Sequence, residues 1–290
     1  LHMFKKFKPL YFFLFSSVFF SIKTLSQNNK LPISEINGNW VLDQKFSDEF
    51  NTNSIDQTKW WDFNPQWHGR RPAHFARSNV KLRKGKLVLT AKELNEKKVS
   101  AENKARGYDK YSTAIVKSKK RSFYGYYEAK AKSMSAGVCN AFWLYDPLDE
   151  SAKYIDGEYS EEIDIFEVFG RASKKENHRA YYAAVHRYET PYVESLVNKK
   201  KYKLENRYRK LVVDYDFFSE YHIYGFLWTQ DELIWFLDGK EVFRRKNDFF
   251  KRPLYIVFDA EIMETWDGLP NSNDLPSSFY VDYVRVWRNK

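Results

Sequence analysis

Apolar and aromatic residues fall in short runs along most of this chain, spaced as in strands rather than helices. Residues 86–91, 112–116 and 232–237 are rich in β-branched and aromatic types, a composition that suits a pleated, half-buried surface. Turn-forming residues interrupt the runs. Asp238-Gly239 is a hairpin signal between 232–237 and 240–244, and 37–39 and 83–86 mark further turns. Helical periodicity is nearly absent, with one short turn expected at 275–278. Dense strands separated by turns roughly every dozen residues predict two packed antiparallel sheets.

One run carries charge where a core strand should be apolar. Glu162, Asp164 and Glu167 lie within six positions of a strand. Side chains alternate faces with period two, so Glu162 and Asp164 share a face while Glu167 has the wrong parity. A β-bulge would return Glu167 to that face. Ile163, Ile165 and Val168 then face the core, with Phe166 absorbed in the bulge. A face of three carboxyls is costly unless it has a task. Four strand rises set the two outer Glu Cα atoms roughly 13 Å apart. Inward-leaning side chains leave on the order of 5 Å between the carboxyls. That spacing suits a retaining glycosidase, where one carboxylate attacks and the other donates a proton. Asp164 between them would orient one and hold the proton on its neighbour. An acidic edge strand or a calcium-binding face would show the same six residues.

Composition narrows the setting. Lys5, Lys6 and Lys8 followed by the apolar stretch 10–22 read as a secretory signal segment over 1–26, with small residues near Ser26 for cleavage and Leu1-His2 as a scar at its head. The apolar stretch is too short for a comfortable membrane span. Residues 27–290 then form a single catalytic β-sandwich domain, expected to be monomeric. Cys139 is the sole cysteine, so no internal disulfide and no thiolate metal cluster can form; within 138–142 it reads as a small core residue. Net charge is +10, or +6 without Lys5, Lys6, Lys8 and Lys23. The dispersed basic residues carry no nucleic-acid motif, and the surplus suits an acidic or sulfated polysaccharide as well as a merely solvated surface. The stretch 60–72 joins tryptophans, arginines and turn residues too irregularly for a strand, and so predicts a cleft rim.

Residues 162–167 resemble the bulged E-x-D-x-x-E signature of glycoside hydrolase family 16. Segments 46–50, 124–129, 140–144 and 280–287 are similar, in order, to that family's opening strand, outer-strand motif, active-site tryptophan strand and closing strand. The likeness runs from Asn39 to Arg288 and is nearest to the agarase and porphyranase branch. It implies an all-β, concanavalin-like β-jelly roll with an open cleft on its concave sheet. It also implies Glu162 as nucleophile, Glu167 as acid/base and Asp164 as the orienting residue. By the same resemblance Trp67 stacks a sugar, Arg70 or Arg71 meets a substrate oxygen or sulfate, and Trp143 packs under the sugar beside the scissile bond. His186 and Glu261 match cleft residues of the agar-degrading branch. Glu49 and Asp282 sit where many members hold a structural calcium ion, although the reaction itself requires no cofactor.

The expectation is a secreted or periplasmic, retaining endo-β-glycosidase cleaving β-1,4 linkages of agarose or porphyran. Its partner is that polysaccharide, with neither nucleic acid nor a membrane span in the mature chain. A κ-carrageenase, a β-1,3-glucanase or a lectin-like module with a dead cleft are the alternatives. Three departures stand out: no Pro-Ala precedes Phe142-Trp143, Glu161 adds an acid that should point away from the cleft, and 146–160 is an insertion expected to loop over the cleft.

Overall fold

The computed structural model describes residues 31–34, 36–146, 159–189 and 203–290. The predicted signal segment and nearly all of the 146–160 insertion lie outside these residues.

In chain order the strands are β1 (Trp40–Leu42), β2 (Trp60–Trp61), β3 (Ala73–Phe75), β4 (Val80–Leu82) and β5 (Leu87–Glu93). After a one-turn helix α1 (Ala101–Ala105) come β6 (Tyr111–Ser122), β7 (Gly125–Lys132), β8 (Cys139–Asp146), β9 (Tyr159–Phe169) and β10 (Ala180–Glu189). The rest are β11 (Lys203–Val212), β12 (His222–Trp228), β13 (Glu232–Leu237), β14 (Lys240–Lys246), β15 (Leu254–Glu261) and β16 (Ser277–Asn289).

They form a sandwich of jelly-roll type. The first sheet runs β11-β10-β9-β8-β15-β6 and the second β5-β16-β7-β12-β13-β14, joined where Lys92 pairs with Ser112. Apart from β3 lying parallel to β6, all pairings are antiparallel. Asp238 (φ 49°) and Gly239 (φ 78°) close the expected hairpin with left-handed backbone, as a two-residue turn between right-twisted strands requires. The 83–86 turn is closed by reciprocal Arg83–Lys86 backbone hydrogen bonds.

Alternation in β8 shows how the sheet divides its faces. Phe142 and Leu144 enter the sandwich core, where Phe142 stacks on Phe258 at 4.4 Å, while Ala141 and Trp143 belong to a second apolar cluster on the other face. Across the core, Phe166 stacks on Tyr224 of the second sheet at 3.8 Å. The outer face of the second sheet is also covered: Leu31, Ile33, Ile36 and Trp40 pack on Tyr126, Ile234, Phe236 and Trp287.

The short turn expected at 275–278 is displaced. A 3-10 turn occupies Ser272–Asp274, capped by the Asn271 side chain accepting from the Asn273 amide. Pro276 has no N–H to extend it, and Ser277 already opens β16.

Candidate active site

The bulge in β9 is present. Against β8, Phe142 pairs with Phe166 and Trp143 with Asp164; against β10, Tyr182 pairs with Glu167 and Ala184 with Asp164. Ile165 is therefore the residue left without a partner on either side, rather than Phe166, and both side chains are buried in the core. A bulge frees backbone carbonyls that a dry core must satisfy. Trp235 of the second sheet donates its indole N–H to the carbonyl of Asp164 at 3.0 Å, and the Tyr181 hydroxyl donates to that of Ile165 at 2.6 Å.

Restored parity builds a ladder of functional rungs across the first sheet. One rung reads His186, Glu162, Tyr145 and Tyr255; the next Ala184, Asp164, Trp143, Val257 and Lys117; the next Tyr182, Glu167, Ala141, Asp259 and Ile115. Cys139 and Glu261 follow as partners at the end of β8. Five carboxyls thus share one face. Asp164 is buried beneath the groove, whereas Glu162 and Glu167 keep part of their surface open to it.

The cations that meet them are few. His186 Nε2 lies 3.2 Å from Asp164 Oδ2 and 3.7 Å from Glu162 Oε1. Arg70 Nε reaches Glu261 Oε2 at 2.5 Å. Burial, then Asp164, push Glu162 up to about 8, while His186 and Arg70 pull it down. Burial pushes Glu167 well above the usual carboxylate range, and Asp164, Glu162, Glu261 and Asp259 all push the same way. Burial and four acidic neighbours thus all favour the protonated form of Glu167. Burial likewise raises Asp259, whose Oδ2 accepts the Trp143 indole N–H at 3.3 Å.

The floor and rim are aromatic. Ile115, Ala141, Trp143 and Val257 form a cluster separate from the core, packed against Trp67, Phe75, Tyr145 and Tyr255. Trp67 stands edge-on to Trp143 (6.5 Å) and to Phe75 (4.9 Å), and Arg70 lies over its ring at 5.7 Å. At the far side Lys117 is fully buried; it donates to Gln66 Oε1 at 2.8 Å and sits 4.3 Å from the Tyr255 ring and 5.8 Å from that of Trp61.

The structure sorts the expected residues. Glu162, Asp164, Glu167, His186, Trp143, Trp67, Arg70 and Glu261 converge on one groove. Arg71 does not join them; its guanidinium lies over Tyr108 at 5.5 Å. Glu161 points away as expected, buried against Arg187 (3.6 Å) and Arg252 (3.7 Å), and burial raises it to about 7. Cys139, expected in the core, faces the groove side, with its Sγ 3.8 Å from Glu167 Oε1. Lys117, Tyr145 and Tyr255 carried no motif and were signalled only by alternation within strands, whereas Trp61 lies in the 60–72 stretch expected at the cleft rim.

Glu49 and Asp282 do not fit a calcium site. Arg285 grips Glu49 through both oxygens (2.8 and 2.9 Å), and Lys86 (2.5 Å) and Lys130 (3.1 Å) hold Asp282, so the hard oxygen ligands a calcium ion needs are already neutralised. Among the described residues, donor atoms of Glu162, Asp164 and His186 gather within 4.8 Å of one another. A cation seated there would occupy carboxylate oxygens of Glu162 and Asp164 on the groove face.

Paired carboxyls on a bulged strand above an aromatic floor define a β-sandwich glycoside hydrolase. Residues 40–289 match the family described as beta-porphyranase A-D, GH16 domain, and the chain belongs to glycoside hydrolase family 16. It is 29% identical over 274 residues to the κ-carrageenase of Pseudoalteromonas carrageenovora, covering 88% of this chain and 66% of that one. It is also 29% identical to β-porphyranase D of Zobellia galactanivorans, over 86% of this chain and 61% of the relative. The chain thus spans less than two thirds of either relative's length. The crystal structure of porphyranase B from Z. galactanivorans superposes with a TM-score of 0.74 at 25% identity, covering 89% and 97% of the two chains.

Proposed function

We propose that this chain is an exported, retaining endo-β-glycosidase that cleaves β-1,4 linkages in a red-algal galactan, porphyran or agarose. The observation that carries the reading is the bulge at Ile165, which brings Glu162 and Glu167 to one face with Asp164 between them. In the first step the Glu162 carboxylate bonds to the anomeric carbon. The bond to the leaving oxygen breaks, and that oxygen takes the Glu167 proton. In the second, Glu167 accepts a proton from water, the water oxygen bonds to the anomeric carbon, and Glu162 leaves as carboxylate. Asp164 orients Glu162, and its charge opposes early loss of the Glu167 proton. Trp143 and Trp67 supply apolar faces for pyranose rings, and Arg70, Glu261 and His186 supply polar contacts. Export rests on the signal-like segment 1–26; among the described residues, no helix is long and apolar enough to cross a membrane.

Equal 29% likeness to a κ-carrageenase supports a second reading, cleavage of a different sulfated galactan on the same site. The test is incubation of the folded chain with porphyran, agarose, κ-carrageenan and laminarin, reading reducing ends and product sizes. A ladder of even-numbered oligosaccharides from porphyran or agarose is expected. Release from κ-carrageenan alone moves the assignment to the second reading, and binding without new reducing ends leaves a lectin. Glu162→Gln should abolish release while oligosaccharide binding and fold persist.

A further inference from the structure

The Cys139 thiol is unusual for its place. It opens β8, pairs across the sheet with Glu261 on one side and Phe169 on the other, and is 2% exposed. Its odd position puts Sγ on the groove side with Ala141 and Trp143 rather than with core residues Phe142 and Leu144. The contact at 3.8 Å to Glu167 Oε1 is within S–H···O reach, and no other side-chain hydrogen bond to the Glu167 carboxyl is found among the described residues.

A protonated carboxyl has one O–H oxygen and one bare oxygen, and only the first can protonate a leaving group. A donor aimed at one oxygen makes that oxygen the acceptor and leaves the proton on the other. A thiol serves as that donor only while it keeps its own proton. Burial, with the nearby Glu167, Glu261 and Asp259, pushes the Cys139 pKa well up, so the thiol stays protonated through the neutral range.

We propose that Cys139 is a positioning residue: its S–H donates to Glu167 Oε1 and so fixes the transferable proton on Oε2, facing the groove. When Glu167 is a carboxylate in the second step, the thiol remains on Oε1 and Oε2 receives the proton from water. No bond to sulfur forms or breaks. The inference rests on Glu167 being the acid/base.

The test compares Cys139→Ala and Cys139→Ser with the unaltered chain on two substrates: the polysaccharide, and an oligosaccharide β-glycoside with a dinitrophenyl leaving group. Dinitrophenolate departs with little protonation, so its release barely needs a correctly aimed acid. In Cys139→Ala, kcat on the polysaccharide should fall about tenfold with KM unchanged, within the 10²–10⁴-fold worth of general acid catalysis. Turnover of the activated substrate should stay within about twofold on the same grounds. Losing a donor that favours the ionised carboxyl should also move the alkaline limb of kcat/KM to higher pH. Serine keeps a donor and should recover most of the lost kcat. Equal slowing on both substrates, or no slowing on either, overturns the proposal. If the alanine variant does not fold, Cys139→Val fills the same volume without a donor and carries the same comparison.

Glu167→Ala separates the two levels of the argument. Retained turnover of the activated substrate, with azide added and glycosyl azide formed, establishes Glu167 as acid/base whatever Cys139 does. Should that variant fail with both substrates, the underlying reading falls and the thiol's role falls with it.

Discussion

The indole N–H of Trp235, on one sheet, donates at 3.0 Å to the backbone carbonyl of Asp164, on the other. It ties the outer wall of the sandwich to the middle carboxyl of the site. Within the first sheet, the Tyr181 hydroxyl on neighbouring β10 donates to the next carbonyl, at Ile165. Removing either donor strands a buried carbonyl, which costs about 1–3 kcal/mol. Tyr181→Phe deletes only a hydroxyl, so denaturant unfolding should show a loss in that range, and kcat should fall more than KM rises as the bulge relaxes. Trp235→Phe adds a cavity and should lose more. Unchanged kcat in both would detach the bulge geometry from catalysis.

The coupled carboxyls set a pH profile. The proposed reaction requires Glu162 ionised and Glu167 protonated, so activity should rise as pH climbs through the Glu162 titration and fall when Glu167 loses its proton. Burial and Asp164 place the first event near 8, which predicts a maximum on the neutral-to-alkaline side. His186 lowers the Glu162 pKa. Replacing it with Ala removes a positive influence, so the Glu162 pKa rises and the acid limb of kcat/KM moves to higher pH. A limb that stays put, or moves down, would mean that His186 does not govern that ionisation.

Arg70 and Arg71 are neighbours in sequence with opposite prospects. Arg70 stacks on Trp67 and pairs with buried Glu261, while Arg71 rests on Tyr108. Losing one charge-assisted substrate contact of about 1.4 kcal/mol is tenfold in affinity. Arg70→Ala should raise KM by about that factor, and Arg71→Ala should change it less than about twofold. Equal effects in initial-rate measurements would return Arg71 to the site.

These contrasts mark what local sequence can carry. Alternation in 162–167, broken by one residue of wrong parity, made the bulge and the three carboxyls legible, because strand parity is a local property. Which strand lies beside which is not local. That β15 places Asp259 on the Glu167 rung depends on its pairing with Ala141, more than a hundred residues away in the chain. Cys139 looked like core because a small residue in an apolar run fits either face. The family resemblance put calcium at Glu49 and Asp282, whose cationic partners Arg285, Lys86 and Lys130 are fixed only by cross-strand and loop packing. The 3-10 turn sits before the expected 275–278 because the Asn271 side chain accepts from the Asn273 amide and Pro276 follows it.

Lys117 supplies the last prediction. It is a cation with no exposed surface, held by one amide oxygen between two aromatic rings, and burial reinforced by Arg121 pulls its pKa down to about 8. Between about 8 and the ordinary lysine value of 10.5 the folded chain holds fewer protons here than the unfolded chain. Stability from this group therefore grows as pH rises across that window and is lost as pH falls back through about 8. Lys117→Met keeps the length and removes the buried charge. Its unfolding free energy should match or exceed that of the unaltered chain near neutrality, with a flatter dependence between pH 8 and 10.5. The freed Gln66 is exposed, so losing its partner costs little, but the rim that carries Trp67 loses a tether to the sheet. Looser placement of a stacking ring should raise KM and leave kcat close to its original value, because Lys117 stands away from the two glutamates. A fall in kcat at constant KM would instead tie this lysine to the reaction itself.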